Sequence, residues 1–233
     1  MTTQEFSEEF DILYDNIRTN TARGLDEYEK SVFLTQAQEI LVKGYYNNRL
    51  EGNEERRREL ANLIKNYVST SLVNSNDNIS TGSLFFTIPE DLMYIISEKG
   101  KTVSTQSCYN NQLIDIIPVT HDEYNLQKKN PFRKPKLSGR TKSAWRIDYG
   151  DYLGQRVVEI IPPNEATLSE YRCRYLKKPR AIILETLTNE SIDGQTQVSE
   201  CELDSITHRD ILRLAVRIAK QEIDMQAQQQ PQE

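Results

Sequence analysis

Apolar positions at the start of the chain recur with helical spacing. Phe6, Phe10, Leu13, Tyr14 and Ile17 fall at i, i+4, i+7, i+8 and i+11, which predicts an amphipathic helix capped at Thr3 and ending before Gly24. A second helix is expected to open near Asp26, with Glu27 and Glu29 in its first turn and a stripe of Phe33, Ala37, Ile40, Leu41, Gly44 and Tyr45. A third is expected after Gly52 and Asn53, its face formed by Leu60, Leu63, Ile64, Tyr67 and Val68. Short connections between the three predict an antiparallel helical bundle over residues 1–70.

Beyond residue 70 the periodicity shortens. A polar stretch, SLVNSNDNISTGS, precedes LFFTI (84–88), a short apolar run that stops at Pro89; Pro89-Glu90-Asp91 reads as the first turn of a helix. LIDIIPV (113–119), AWRIDYG (144–150), RVVEIIP (156–162), LSEYRCRYL (168–176) and AIILETL (181–187) read as strands. Thr120-His121-Asp122-Glu123 has the form of a capping box opening a short helix to about Lys129. In LSEYRCRYL, Tyr171, Cys173 and Tyr175 alternate with Arg172 and Arg174, one face for burial and one basic face. A last helix from about Ile206 to Gln226 carries an apolar stripe through Ile211, Leu212, Ala215, Ile218, Ala219 and Ile223, with Asp204 or Ser205 as its cap and Arg209, Arg213 and Arg217 in a separate exposed row. The expected architecture is α+β: an N-terminal helical bundle (1–70), a β-rich middle insertion (84–187) containing a basic loop (128–146), and a C-terminal helix (204–226) packing back on the bundle, followed by a mobile polar tail (227–233).

Composition narrows the function classes. The chain has 233 residues with 37% hydrophobic and 27% charged, yet 12 Tyr and 6 Phe supply material for a core. No apolar run reaches the ~20 residues that span a bilayer, so no membrane partner is expected. The polar, acidic start MTTQEFSEEF does not resemble a secretory signal. Cys108, Cys173 and Cys201 are too scattered for a disulfide framework or a cysteine zinc site. Phosphate-cradling glycine motifs, HExxH, CxxC and GxSxG are missing from the sequence, so neither an enzyme nor a cofactor is expected.

Two groups of polar residues invite a chemical reading. His121, Asp122 and Glu123 are consecutive and point in different directions on a helix, so capping explains them better than catalysis; His208 opens the last helix. Asp148, Asp151 and Glu159 could bind a divalent cation for a nuclease, although D-x-x-D across Gly150 looks more like a turn. The net charge of −6 conceals strong segregation. Residues 1–55 carry 12 acids and 5 bases, residues 56–180 carry 13 and 20, and residues 181–233 carry 10 and 4. Within the basic middle, KKNPFRKPKLSGRTKSAWR (128–146) holds eight bases, no acid, and the flanking aromatics Phe132 and Trp145. The candidate contact residues are Lys128, Lys129, Arg133, Lys134, Lys136, Arg140, Lys142 and Arg146, with Arg172 and Arg174 from the strand. They suit nucleic acid phosphates, the acidic ends of a neighbouring copy, or plain solvation. The acidic net charge favours protein over nucleic acid.

Four stretches together resemble a known family: FDILYDNIRTN…GLDEYEKSVFLTQAQEILVKGYY (10–46), VTHDEYNLQKKNPFRKP…AWRIDYG (119–150), VVEIIPP…YRCRYLKKPRAIIL (157–184) and ECELDSITHRDILRLAVRIAKQ (200–221). They are similar to virion ring proteins of crAss-like bacteriophages that infect Bacteroides, which sit between portal and tail. The resemblance implies a head-to-tail connector or portal adaptor that closes into a ring of twelve identical subunits, extends the DNA channel and offers a platform for the tail. Implied partners are the chain itself, the portal protein, other neck or tail ring proteins and, non-specifically, packaged DNA. The implied location is the virion neck, with the host cytoplasm during assembly. A nucleic-acid-binding protein using the 128–146 loop is the alternative reading.

Overall fold

The computed structural model describes residues 1–15, 24–48, 58–70, 78–138, 142–152 and 154–229. The chain divides into two compact units: Met1–Leu63 with Lys178–Glu233, and the intervening Ile64–Lys177.

In the first unit, helix α1 (Thr3–Asp15) buries Phe6, Phe10 and Tyr14 at fourfold spacing. Its cap is Thr2, one residue before the expected Thr3: the Thr2 hydroxyl accepts from the Glu5 amide at 3.2 Å and the Glu5 carboxylate accepts from the Thr2 amide at 2.9 Å. Helix α2 (Glu27–Asn48) opens on the same reciprocal device between Asp26 and Glu29. Lys30 is buried and joins the two helices, 2.7 Å from Asp11 and 2.9 Å from Glu27. Burial opposes its charge, but the hydrogen bonds that Lys30 donates to Asp11 and Glu27 outweigh this and raise its pKa above the usual lysine value.

Helix α2 is buried on more than the expected stripe. Phe33, Leu34, Ala37, Leu41 and Val42 are enclosed, and so are Ser31, Thr35 and Gln38, while Ile40 is exposed. The polar residues hold an extended segment. The Leu184 amide donates to Ser31 Oγ at 3.0 Å, the Ile182 amide to Thr35 Oγ1 at 3.1 Å, and Gln38 Nε2 to the Arg180 carbonyl at 2.7 Å. Residues 181–187, expected to be a strand, therefore lie in this unit as an extended stretch, with one isolated bridge between Ile183 and Ser199. Helical side chains bond much of the backbone that a neighbouring strand would otherwise satisfy.

The last helix starts close to its expected position and runs to Gln229, three residues past the expected Gln226 and into the stretch expected to be a mobile tail, of which 230–233 lie outside the described residues. Asp204 caps a 3₁₀ turn (Ser205–Thr207) that runs directly into the final helix of the chain, labelled α4 (His208–Gln229), with Ile211, Leu212, Ala215, Val216 and Ala219 buried. It packs on α1 and α2. The His208 ring stacks at a tilt 5.3 Å from Phe6, its Nδ1 is 2.8 Å from the Met1 amine, and its Nε2 is 3.2 Å from the Leu203 carbonyl. Burial lowers the His208 pKa below the ordinary imidazole value. Stability linked to this group is thus complete above the unfolded pKa of about 6.5 and declines as pH falls from there toward the lower folded value. Urea midpoints at pH 7.5 and 5.5 are expected to separate more for the native protein than for His208→Gln; equal separation would remove His208 from the pH response.

The second unit is a sheet of seven strands among the described residues: β1 (Ile64–Thr70), β2 (Leu84–Thr87), β3 (Leu92–Val103), β4 (Leu113–Pro118), β5 (Ser143–Tyr152), β6 (Gln155–Ile161) and β7 (Thr167–Lys177). Their order is β1-β7-β3-β4-β5-β6-β2, antiparallel except for β4 and β5. That parallel pair requires a crossover, and helix α3 (His121–Lys128) lies within it. The sheet curls until its edge strands meet through side chains, with Thr87 Oγ1 2.9 Å from Tyr67 Oη and 2.7 Å from Ser69 Oγ. Phe86, Ile114, Ile116, Val158, Ile160, Leu168 and Tyr171 belong to one enclosed core. Tyr124 of α3, Trp145, Ile147 and Ile161 form another.

Two expectations are corrected here. The second half of the expected third helix, 64–70, is strand β1, paired with β7 from Ile64↔Leu176 to Thr70↔Glu170; the start of that helix, at 51–57, lies outside the described residues. Ile64, Tyr67 and Val68 fit a helical stripe, but aromatic and β-branched residues also favour strands, and β7 supplies the partner. Pro89–Asp91 forms a turn into β3 instead of a helix, the Leu92 amide donating to the Pro89 carbonyl at 3.3 Å. Register shifts at Leu92/Tyr94, Ile95/Ser97 and Lys101/Thr102 interrupt the alternation of β3, which removes its sequence signal.

Candidate interaction surfaces

The ten candidate basic residues fall in different environments. Arg146 is buried beside the core, its guanidinium 2.8 Å from Glu98 and 3.3 Å from Asp148. Glu98 also accepts from the Tyr171 hydroxyl at 2.5 Å. Burial, reinforced by the adjacent Glu98 charge, pushes the Tyr171 phenol far above its ordinary range. Arg146 thus serves the interior of the sheet. Arg140 lies outside the described residues.

Lys128, Lys129, Arg133 and Lys134 are exposed, and Lys136 and Lys142 are half-buried. Lys128 ends α3 with its ammonium 5.3 Å from the centre of the Tyr124 ring. A turn follows, in which Asn130 accepts from the Phe132 amide at 3.0 Å through its side chain and from the Arg133 amide at 3.2 Å through its carbonyl. The loop is anchored by buried Leu137 and by the Ser143 amide bonding to the Lys136 carbonyl at 3.1 Å. Lys142 donates to Gln112 Oε1. The result is an ordered knob with Phe132 84% exposed and Leu126 74% exposed among the lysines and arginines.

Arg172 and Arg174 occupy the exposed face of the sheet, as their alternation predicts. Arg172 stands opposite Lys99 on β3 and turns toward Glu170, which accepts from its Nη2 at 2.7 Å and from Lys101 at 3.0 Å. These hydrogen bonds, Arg172's first, hold the Glu170 carboxyl below its usual range. On the neighbouring strands, Val68 of β1 and Leu113 and Ile117 of β4 are exposed.

The remaining polar candidates have structural partners. The Thr120 hydroxyl caps α3 by accepting from the Glu123 amide, and His121 Nε2 lies 2.9 Å from the Asp148 carbonyl. Glu159 is wholly buried and accepts from the Ile79 amide at 2.9 Å and from the Ser83 hydroxyl. In the β5–β6 register Glu159 stands opposite Ile147, whereas Asp148 stands opposite Val158 and Asp151 opposite Arg156. The three carboxylates do not converge on one point, and no group of three metal-ligating side chains occurs among the described residues.

A surface that the sequence reading passed over lies on the helical unit. Helix α1 carries Glu5, Glu8, Glu9, Asp11 and Asp15 and no base. Beside these acids, Glu9, Ile12 and Leu13 of α1 and Arg209, Leu212 and Arg213 of α4 line a groove of about 250 Å³. Ile12 is 59% exposed. An isoleucine off the buried stripe was the available sequence signal, but the groove itself needs the α1–α4 pairing.

The family model described as phage tail ring protein 3/4 matches residues 1–231. Ring protein 4/5 of Bacteroides phage crAss001 is 35% identical over 234 aligned residues, covering 94% of this chain and 92% of that protein. Ring protein 3 of the same phage is 34% identical over 228, covering 94% and 95%.

Proposed function

Because the chain belongs to the phage tail ring protein 3/4 family, it is a structural ring protein of the virion, and we propose that its ring joins portal to tail. In this reading the chain is a head-to-tail connector that continues the DNA channel beyond the portal and carries the tail. Twelve copies repeat one lateral contact, and they associate with the portal and with further neck or tail rings. The neck of the virion is its final location and the host cytoplasm the place of assembly. The observation that carries the reading is the match along nearly the whole chain to ring proteins of one phage. Two relatives with different ring numbers in that phage support a stack of successive rings built from related chains. A cyclic ring needs two different, complementary surfaces per subunit. The segregation of acids to the chain ends and bases to the middle supports such a pair. A scaffold of this kind has no catalytic step to perform.

The test is the native mass of the purified chain with and without portal from the same phage, followed by electron microscopy. A portal-dependent closed ring is expected. A chain that ignores portal and binds DNA with steep salt dependence would overturn the connector reading in favour of nucleic-acid binding.

A further inference from the structure

We infer that the Phe132 knob of one copy docks in the α1–α4 groove of the next copy, forming the repeated lateral contact. The inference rests on the ring reading and gives it a surface. Phe132 is the most exposed large apolar side chain among the described residues, held at the tip of an ordered turn. An aromatic ring in that position leaves water most favourably by entering an apolar recess. The groove between α1 and α4 offers one, with Ile12, Leu13 and Leu212 as its apolar walls and room for a single aromatic side chain.

Charge selects the occupant. The segment from Lys128 to Lys136 contributes five bases and no acid, and α1 contributes five acids and no base. The knob of a second copy therefore meets opposite charge along α1. The groove also has polarity: Glu9 stands on the α1 wall, and Arg209 and Arg213 stand on the α4 wall. Arg133 and Lys134 are favoured toward α1 and disfavoured toward α4, which fixes the direction of docking. Such a contact joins unlike surfaces, so it propagates from copy to copy and closes by rotation. A buried aromatic anchor within a charged rim is the usual distribution of interface energy.

The experiment measures the chain concentration giving half-maximal assembly on purified portal for four proteins: native, Phe132→Asp, Arg133→Glu/Lys134→Glu, and that double variant combined with Glu8→Lys/Glu9→Lys. All altered side chains lie at or near the surface, and circular dichroism verifies folding. Phe132→Asp and the double variant are each expected to raise that concentration roughly tenfold or more. The four-residue charge exchange is expected to return it to within about threefold of native. Native-like assembly by Phe132→Asp would overturn the docking while leaving the ring intact. Loss in the double variant without recovery on charge exchange would overturn α1 as the partner. Failure of the native chain to assemble on portal would instead overturn the portal-to-tail reading on which the inference rests.

Discussion

Glu98→Ala is expected to destabilise the sheet unit by about 3–5 kcal/mol, the usual cost of stranding one member of a buried ion pair. Glu98 is 9% exposed and is approached by the Arg146 guanidinium and the Tyr171 hydroxyl. Removing the carboxylate leaves a guanidinium in the protein interior, with exposed Asp148 as its other acidic neighbour. Glu98→Gln separates the charge from the hydrogen bond, because its amide oxygen can still accept from Tyr171 while Arg146 loses its counter-ion. Its cost should approach that of the alanine variant. Tyr171→Phe leaves the ion pair in place and should cost about 1–3 kcal/mol. Glu98→Met combined with Arg146→Met should recover much of the loss, since a packed apolar pair commonly replaces a buried ion pair without penalty. Urea unfolding checks the series. A cost below about 1 kcal/mol for both Glu98 variants would refute the buried-pair account.

Thr35→Val is expected to cost about 2–3 kcal/mol, although it changes shape very little, because it leaves a buried amide without its acceptor. Thr35 Oγ1 accepts from the Ile182 amide at 3.1 Å and lies 3.4 Å from the Ile182 carbonyl; both residues are buried. Hydrogen exchange supplies the local readout. The Ile182 amide should exchange at least roughly tenfold faster in Thr35→Val, while amides of the β5–β6 pairing keep their native protection. Gln38→Leu tests the next attachment along α2, since Gln38 donates to the Arg180 carbonyl at 2.7 Å and accepts from the Cys201 thiol at 3.2 Å. Unchanged exchange at Ile182 in Thr35→Val would show that helical side chains do not hold the segment.

The candidate contact residues were only partly legible in sequence. A run of bases identifies charge but not exposure, and Arg146 and Lys134 look alike until the strand register places one beside Glu98 and leaves the other on the knob. Arg172 and Arg174 were readable because strict alternation with buried Tyr171, Cys173 and Tyr175 specifies a face. Phe132 is a flanking aromatic in the sequence; the Asn130 turn makes it a tip. The groove facing Ile12 combines residues from α1 and α4, nearly 200 positions apart, and no local pattern contains it.

By itself, the sequence determined what local chemistry can specify: the amphipathic faces of α1 and α4, the Thr120 cap that begins α3, the alternation of β7, the segregation of charge and the family. Each depends on residues within a few turns of one another, or on similarity along the whole chain. Tertiary structure alone decided that 64–70 is a strand, that β3 follows Pro89, and that 181–187 is held by a helix instead of a sheet. In all three, local propensity left more than one conformation open, and a partner distant in sequence supplied the hydrogen bonds that selected one.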